Sequence, residues 1–382
     1  MEAAHALAGW YALHARDLPW RRAAEPYFVL VSEFMLQQTT VETVAPYFAR
    51  FIAAFPTVRA LADAEAAAVL ALWSGLGYYR RARSLHEAAR VIVRDHSGRV
   101  PDDAAGLRSL PGVGPYTASA LLAIAFGRPE LALDGNLKRV LARLIGSRVD
   151  PATKRGEDLL RAAGEEIVRA GDPSTVNQAL MDLGATLCAP RAPRCLLCPL
   201  SGICEARRLG AVTEIPAAKK RPDSLPVALA AVVARRGEKL LMRRRGGELM
   251  AGMWEFPMVA ADGPPGDPRA ALAEIERVHR IGFSELRAFA SLRHNITRHR
   301  IRVDVFEGRM RGRPAPAGEA RGRRVADPGR ARHPAFADLT DAASAAEFRW
   351  QPEAKLADLP LTGIARKIVR ALQGRAAKGE RG

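Results

Sequence analysis

No stretch of this 382-residue chain is apolar for long enough to span a membrane. Its opening residues, MEAAHALAGWYALHARDLPW, lack the basic-then-apolar order of a signal peptide. A cytoplasmic protein is expected. Cysteine is missing everywhere outside one window, Cys188–Cys204, which holds all four. A disulfide framework spreads its cysteines through a small secreted domain, so this clustering points to metal ligation instead. Acidic charge is in deficit: 58 basic against 41 acidic residues leave a formal net charge of +17. Residues 1–210 carry 25 basic and 21 acidic side chains, and residues 211–382 carry 33 and 20, so most of the excess lies in the second half. Such a balance favours a polyanion partner through counterion release, although an arginine-rich proteome produces the same bias. With 48% apolar residues the chain is globular and long enough for two domains.

Residues 1–210 read as helical. Leu137, Val140, Leu141 and Leu144 recur at helical spacing, as do stretches around Leu61, Val69, Leu70, Leu72 and Trp73, with SGLGYY and LPGVGP as punctuation. Residues 211–226, AVTEIPAAKKRPDSLP, hold three prolines and three adjacent basic residues and read as a linker. After it the period changes. Val227–Val233 and Lys239–Arg244 flank an Arg-Gly-Glu turn as a hairpin would, and Ile301, Val303 and Val305 alternate with Arg300, Arg302 and Asp304. Ile364–Leu372 closes the domain as a helix, residues 373–382 read as a basic tail, and the second domain, 227–372, is α/β or α+β. Residues 309–334, with eight arginines and two acids, are expected to be a disordered basic insertion.

The strongest chemical signal is the spacing Cys188-x6-Cys195-x2-Cys198-x5-Cys204. Four thiolates in one short loop suit a [4Fe–4S] cluster; they also satisfy a structural zinc, although zinc ribbons pair two distant CxxC knuckles and only one is present. Pro190, Arg191, Pro193 and Arg194 make the gap a stiff basic loop suited to phosphates. In LPGVGPYTASALLAIAFG, residues 110–127, Gly112 and Gly114 permit a tight turn before a helix whose free amides can bind a phosphate. An ordinary interhelical turn has the same composition. Asp134 opens the next helix, LDGNLKRVLARL at 133–144, and by itself reads as an N-cap. Glu33 sits in SEFMLQQTTV among Val29, Leu30, Val31, Phe34, Met35 and Leu36, where burial would raise its pKa and let it protonate a leaving group. Glu33, Gln37 and Thr40 also lie at helical spacing, so a solvated stripe fits equally well.

These strings, with DLPWR at 17–21, GLGYYRRAR at 75–83 and NQALMDLGATLC at 177–188, resemble the MutY family within the endonuclease III superfamily of helix-hairpin-helix DNA glycosylases. The resemblance covers nearly the whole chain. It implies a mostly α N-terminal domain with a [4Fe–4S] loop and an α+β, Nudix-like C-terminal domain, which the GMWEFP string at 252–257 matches. It implies a monomer that removes adenine opposite 8-oxoguanine or guanine in double-stranded DNA. Glu33 would be the general acid, Asp134 would stabilise the oxocarbenium ion and Tyr116 would orient the carboxylates. Lyase-type relatives carry a lysine where Tyr116 stands, so this chain is expected to leave the strand intact. Gly112, Gly114 and Asn136 would meet DNA, Gln38 and Tyr78 would wedge into the duplex, and Trp20 and Gln178 would line the adenine pocket. Core packing is the plain alternative for Tyr78 and Trp20. Two departures matter. The REx-x-EE array of a Nudix hydrolase is missing, since Glu274 and Glu276 are the only glutamates in residues 260–283 and stand in no such arrangement, so the second domain is expected to bind rather than hydrolyse. The family's Phe-Ser-His string at the lesion loop is Ile296, Thr297 and Arg298 here, which predicts a surviving 8-oxoguanine preference with more salt sensitivity.

Overall fold

In a computed structural model of the chain, the described residues are 1–23, 25–217, 223–246, 250, 252–260, 268–279, 281–296, 298–311 and 347–377. They form two compact units: Met1–Ala64 with Arg81–Lys220, and Glu65–Arg80 with Arg221–Gly382. No described helix is long and apolar enough to cross a membrane.

The first unit is helical. Its elements are α1 (Glu2–His14), α2 (Pro26–Leu36), α3 (Val41–Ala54) and α4 (Val58–Ala62). After α5 (Ala66–Trp73), which belongs to the second unit, come α6 (Arg80–Asp95), α7 (Ala104–Ser109), α8 (Pro115–Phe126), α9 (Gly135–Leu144), α10 (Lys154–Arg169), α11 (Pro173–Thr186) and α12 (Glu205–Arg208). Local chemistry sets the ends of the two helices that matter most. Pro115 opens α8, where its missing N–H costs nothing, and Gly127 closes it with φ 62. Asp134 caps α9, its side chain accepting the Leu137 amide at 2.7 Å. The apolar stripe of α9, Leu137, Val140, Leu141 and Leu144, joins Leu7, Leu160, Val176, Leu180 and Leu183 in one buried cluster.

The second unit contains a mixed sheet of seven described strands: β1 (Leu225–Arg236), β2 (Lys239–Arg244), β3 (Trp254–Glu255), β4 (Met258–Ala260), β5 (Gly282–Ile296), β6 (His299–Arg311) and β7 (Glu347–Pro352). Besides α5, two described helices accompany it, α13 (Pro268–His279) and α14 (Gly363–Ala377). The strand path runs β3-β2-β1-β6-β5, with β4 paired to β1 and β7 to β2; β1 and β6 are parallel. Leu229, Ala231 and Val233 of β1 pack with Ile364, Ala365 and Ile368 of α14, while Ala230, Val232 and Ala234 pack with Ile275 of α13. Burial on both faces explains the unbroken apolar run of β1. The expected hairpin is present but longer: Arg235 pairs with Leu240 and Arg236 with Lys239, so Gly237, φ 55, and Glu238 form the turn.

Several expected boundaries differ. Ala211 and Ile215, assigned to the linker from sequence, are buried in the helical unit's core, and Leu225 already opens β1. Arg309–Arg311 finish β6 rather than beginning an insertion, and residues 312–334 lie outside the described residues. Of the expected basic tail, residues 373–377 continue α14, and 378–382 lie outside the described residues.

Candidate active site

Glu33 lies on α2 and is 6% exposed, with Val29, Leu30, Val31, Phe34 and Met35 buried around it. The solvated-stripe alternative therefore fails, because the exposed polar side chains begin only past the helix end, at Gln38 and Thr40. Burial pushes the Glu33 carboxyl up to about 7; a hydrogen bond from Tyr116 pulls it down, and the neighbouring Asp134 charge pushes it up again. Tyr116, in the first turn of α8, is driven well above its ordinary range by burial and then by the Glu33 and Asp134 charges, so it stays a neutral donor. Asp134 is half-buried. Burial raises its pKa, and hydrogen bonds from Leu137 and Asn136 oppose the rise by favouring the carboxylate. The side chain that caps α9 thus also lies within electrostatic reach of Glu33. Three elements bring together a carboxyl that holds its proton near neutrality, a phenol hydrogen-bonded to it, and a second carboxyl with fixed donors within electrostatic reach of both.

At the turn before α8, only one of the two glycines is required by the backbone. Gly112 has φ 81, and a Cβ there would fall 2.6 Å from Ser84 and 2.9 Å from Phe34. Gly114 has extended geometry, φ −91 and ψ 178, with open space around it. Asn136 is tied to its neighbours, donating to Asp134 at 3.2 Å and accepting from Arg139 at 3.0 Å. Gln178 donates to Ser174 at 3.1 Å. Trp20 is 7% exposed and meets Phe48 edge-to-face at 5.4 Å. Gln38 and Tyr78 are both exposed, and both hold left-handed backbones, φ 59 and 47, that side chains other than glycine seldom adopt.

The four cysteines line one cavity together with Arg143, Leu183, Leu187 and Leu200. Burial pushes the Cys198 thiol up to about 11 and also raises Cys204, so four thiolates at this place need a cationic centre among them. Arg143 is 2% exposed and donates to the carbonyls of Ala189 at 2.8 Å, Pro190 at 3.2 Å and Ile215 at 2.8 Å, and to Cys188 Sγ at 3.3 Å. Among the described residues, no three His, Cys, Asp or Glu side chains converge on a single-ion position.

Residues 31–166 match the HhH-GPD superfamily of base excision DNA repair proteins, and residues 228–371 match the NUDIX domain. The adenine DNA glycosylase of Homo sapiens is 33% identical over 359 residues, spanning 78% of this chain and 65% of the human protein. That of Buchnera aphidicola subsp. Baizongia pistaciae is 38% identical over 221 residues, spanning 58% of this chain and 62% of its own. The solved structure of a thermostable thymine-DNA glycosylase superposes with a TM-score of 0.50 at 30% identity, covering 54% of this chain and 95% of that one. The chain belongs to the HhH-GPD superfamily of base excision DNA repair proteins. It spans about two thirds or less of the length of these curated relatives.

Among HhH-GPD features, sequence reasoning missed three buried charges that hold the site's loops. Arg81, on α6, donates to the carbonyls of Phe34 at 2.9 Å, Met35 at 2.8 Å and Gln37, and to Thr39 Oγ1 at 3.1 Å. It thereby caps the end of α2 and fixes the turn that carries Gln38. Asp182 binds Arg16 at 2.6 Å and Arg21 at 2.8 Å, anchoring the DLPWR segment; burial alone would raise its pKa, but these guanidinium contacts outweigh it and hold it low. Arg143 is the third. The available signal was a charge at a core-facing helical position, which names no partner. In the NUDIX unit, Glu274 pairs with Arg277 and Glu276 accepts the Phe283 amide at 3.0 Å, so both glutamates have structural work. Arg298 is exposed, Ile296 packs beside the α14 core, and Thr297 lies outside the described residues.

Proposed function

We propose that this chain is a monofunctional adenine DNA glycosylase acting, as a monomer in the cytoplasm, on double-stranded DNA with adenine opposite 8-oxoguanine or guanine. The observation that carries the reading is the buried Glu33, hydrogen-bonded to Tyr116 beside the Asp134 charge. Protonated Glu33 donates to a ring nitrogen of the extruded adenine. The C1′–N9 bond then breaks with its electron pair leaving on the base. The Asp134 carboxylate faces the cation formed at C1′, and ionised Glu33 takes a proton from the water that attacks it. Tyr116 keeps the carboxyl oriented and supplies no amine.

Gly112, Gly114, Asn136 and the α8 N-terminus would meet the backbone, Gln38 and Tyr78 would wedge the duplex, and Trp20 and Gln178 would bound the base pocket. Thr297 and Arg298 would approach the 8-oxoguanine. Cys188, Cys195, Cys198 and Cys204 fit a [4Fe–4S] cluster, which when bound fastens the basic loop at Pro190–Arg194 near the phosphates.

The test is the pH dependence of single-turnover adenine release. Glu33, with a pKa near 7, is mostly protonated a unit or more below that value and mostly ionised a unit above it, so the rate should fall towards tenfold per unit on the alkaline side. A rate that stays flat or rises from pH 6 to 9 would remove Glu33 as the acid. Borohydride should trap no more than traces of covalent DNA adduct, whereas efficient trapping would favour a lyase.

A further inference from the structure

The segment Glu65–Arg80 is compact with the C-terminal unit rather than with the helices that flank it in sequence. Ser74 and Tyr79 are 3% and 5% exposed, and both donate their hydroxyls to one carbonyl, that of Leu361, at 3.2 and 3.1 Å. Arg366, in the first turns of α14, donates to Ser74 Oγ. The Leu361 segment is itself held by a bridge to Trp254, whose carbonyl accepts the Thr362 amide at 3.0 Å. Between Ser74 and Tyr79 stands Tyr78, 45% exposed with φ 47. The same turns of α14 also reach the end of β5. Lys367 Nζ donates to the Arg293 carbonyl at 2.7 Å, and Gly363 lies so close to His294 that a Cβ there would meet the ring at 3.0 Å. Two residues beyond His294 the chain enters the β5–β6 tip, where Ile296 pairs with His299.

We propose that the first turns of α14 couple the β5–β6 tip to the Tyr78 loop, so that contact of the tip with the opposite base sets the position from which Tyr78 enters the duplex. This rests on the glycosylase reading above. Residues 363–367 touch both segments through buried or backbone partners, and a displacement of the tip has a short rigid path to residues 74–79. Ser74, Leu361 and Arg366 are then positioning residues for lesion preference. They do not touch the reacting bond.

The experiment uses the full chain with Ser74→Ala, Arg366→Met, Arg298→Ala and the Arg366→Met/Arg298→Ala double variant. Single-turnover adenine release is measured opposite 8-oxoguanine and opposite guanine, with 2-aminopurine fluorescence reporting extrusion and thermal melting reporting the fold. Ser74→Ala and Arg366→Met should each lower the 8-oxoguanine-to-guanine rate ratio by about tenfold, mainly by slowing extrusion opposite 8-oxoguanine. Arg298→Ala should lose most of its effect on that ratio in the Arg366→Met background, since both act along one path. Parallel loss on both substrates, an unchanged ratio, or strictly additive effects would overturn the coupling while leaving the glycosylase reading intact. A wild-type chain that releases no adenine would overturn both. Ser74→Ala removes one hydroxyl from a buried site, so it keeps the test interpretable if Arg366→Met fails to fold.

Discussion

Glu33→Gln is expected to slow adenine release by at least about a hundredfold while mispair binding persists and the fold grows more stable above neutral pH. The amide keeps the shape and the Tyr116 neighbour but has no proton to give to the leaving base. The stability gain follows from the raised pKa, about 7 against an ordinary 4.5. Below 4.5 the carboxyl is protonated in both folded and unfolded chains, and ionisation costs nothing. Between the two values the unfolded chain loses its proton first, so stability falls as pH rises, and above 7 the full cost is present. A shift of this size corresponds to about 3 kcal/mol, an order-of-magnitude figure for a buried group. Glu33→Gln should therefore melt higher than the wild type at pH 8 and lose that advantage near pH 4. A variant that is inactive but less stable at pH 8 would mean that Glu33 is a structural group. Near-normal turnover would remove it from the reaction.

Loading of the cysteine cavity carries the second large effect. Aerobically purified protein should be brown, with about four irons per chain and absorbance near 400 nm. Arg143→Ala should lower iron content to less than about half of the wild type's. Its guanidinium joins α9 to the start of the cysteine loop through Ala189, Pro190 and Cys188, and to Ile215 beyond it. Without it several buried carbonyls lose their donor, at about 1–3 kcal/mol each. A total near 3 kcal/mol would lower the melting temperature by roughly 6–12 °C for a unit of this size. Arg143→Lys should recover little, since an ammonium cannot span carbonyls on both sides of the loop. Stoichiometric zinc in the wild type would contradict the cluster, and unchanged iron in Arg143→Ala would contradict the clamp.

What could be read in the sequence was whatever sits on one contiguous string. The Asp134 cap, the glycine turn before α8 and the cysteine spacing are local, and each carries its physical reason within a few residues. The burial of Glu33 was not legible from spacing, because Glu33, Gln37 and Thr40 fit one helical face and only the packing around α2 removes the first of them from water. Arg81, Arg143 and Asp182 were missed for a related reason. Arg81 and Arg143 answer mainly to backbone carbonyls tens of residues away and Asp182 to Arg16 and Arg21 at the other end of the helical unit's sequence, partners that leave no mark on composition. The second domain's strands were legible as elements, but not the parallel pairing of β1 with β6 or the burial of β1 on both faces. Nor could spacing reveal that residues 65–80, helical by pattern, pack with the sheet-bearing unit through Ser74 and Tyr79.

The central claim is tested most directly by single-turnover release of free adenine from four duplexes that differ only in the base opposite it: 8-oxoguanine, guanine, cytosine or thymine. The account predicts fastest release opposite 8-oxoguanine, slower release opposite guanine and next to none opposite cytosine or thymine, with the strand left unbroken until alkali is added. Equal rates on all four, no adenine released from any, or strand cleavage without alkali would contradict it.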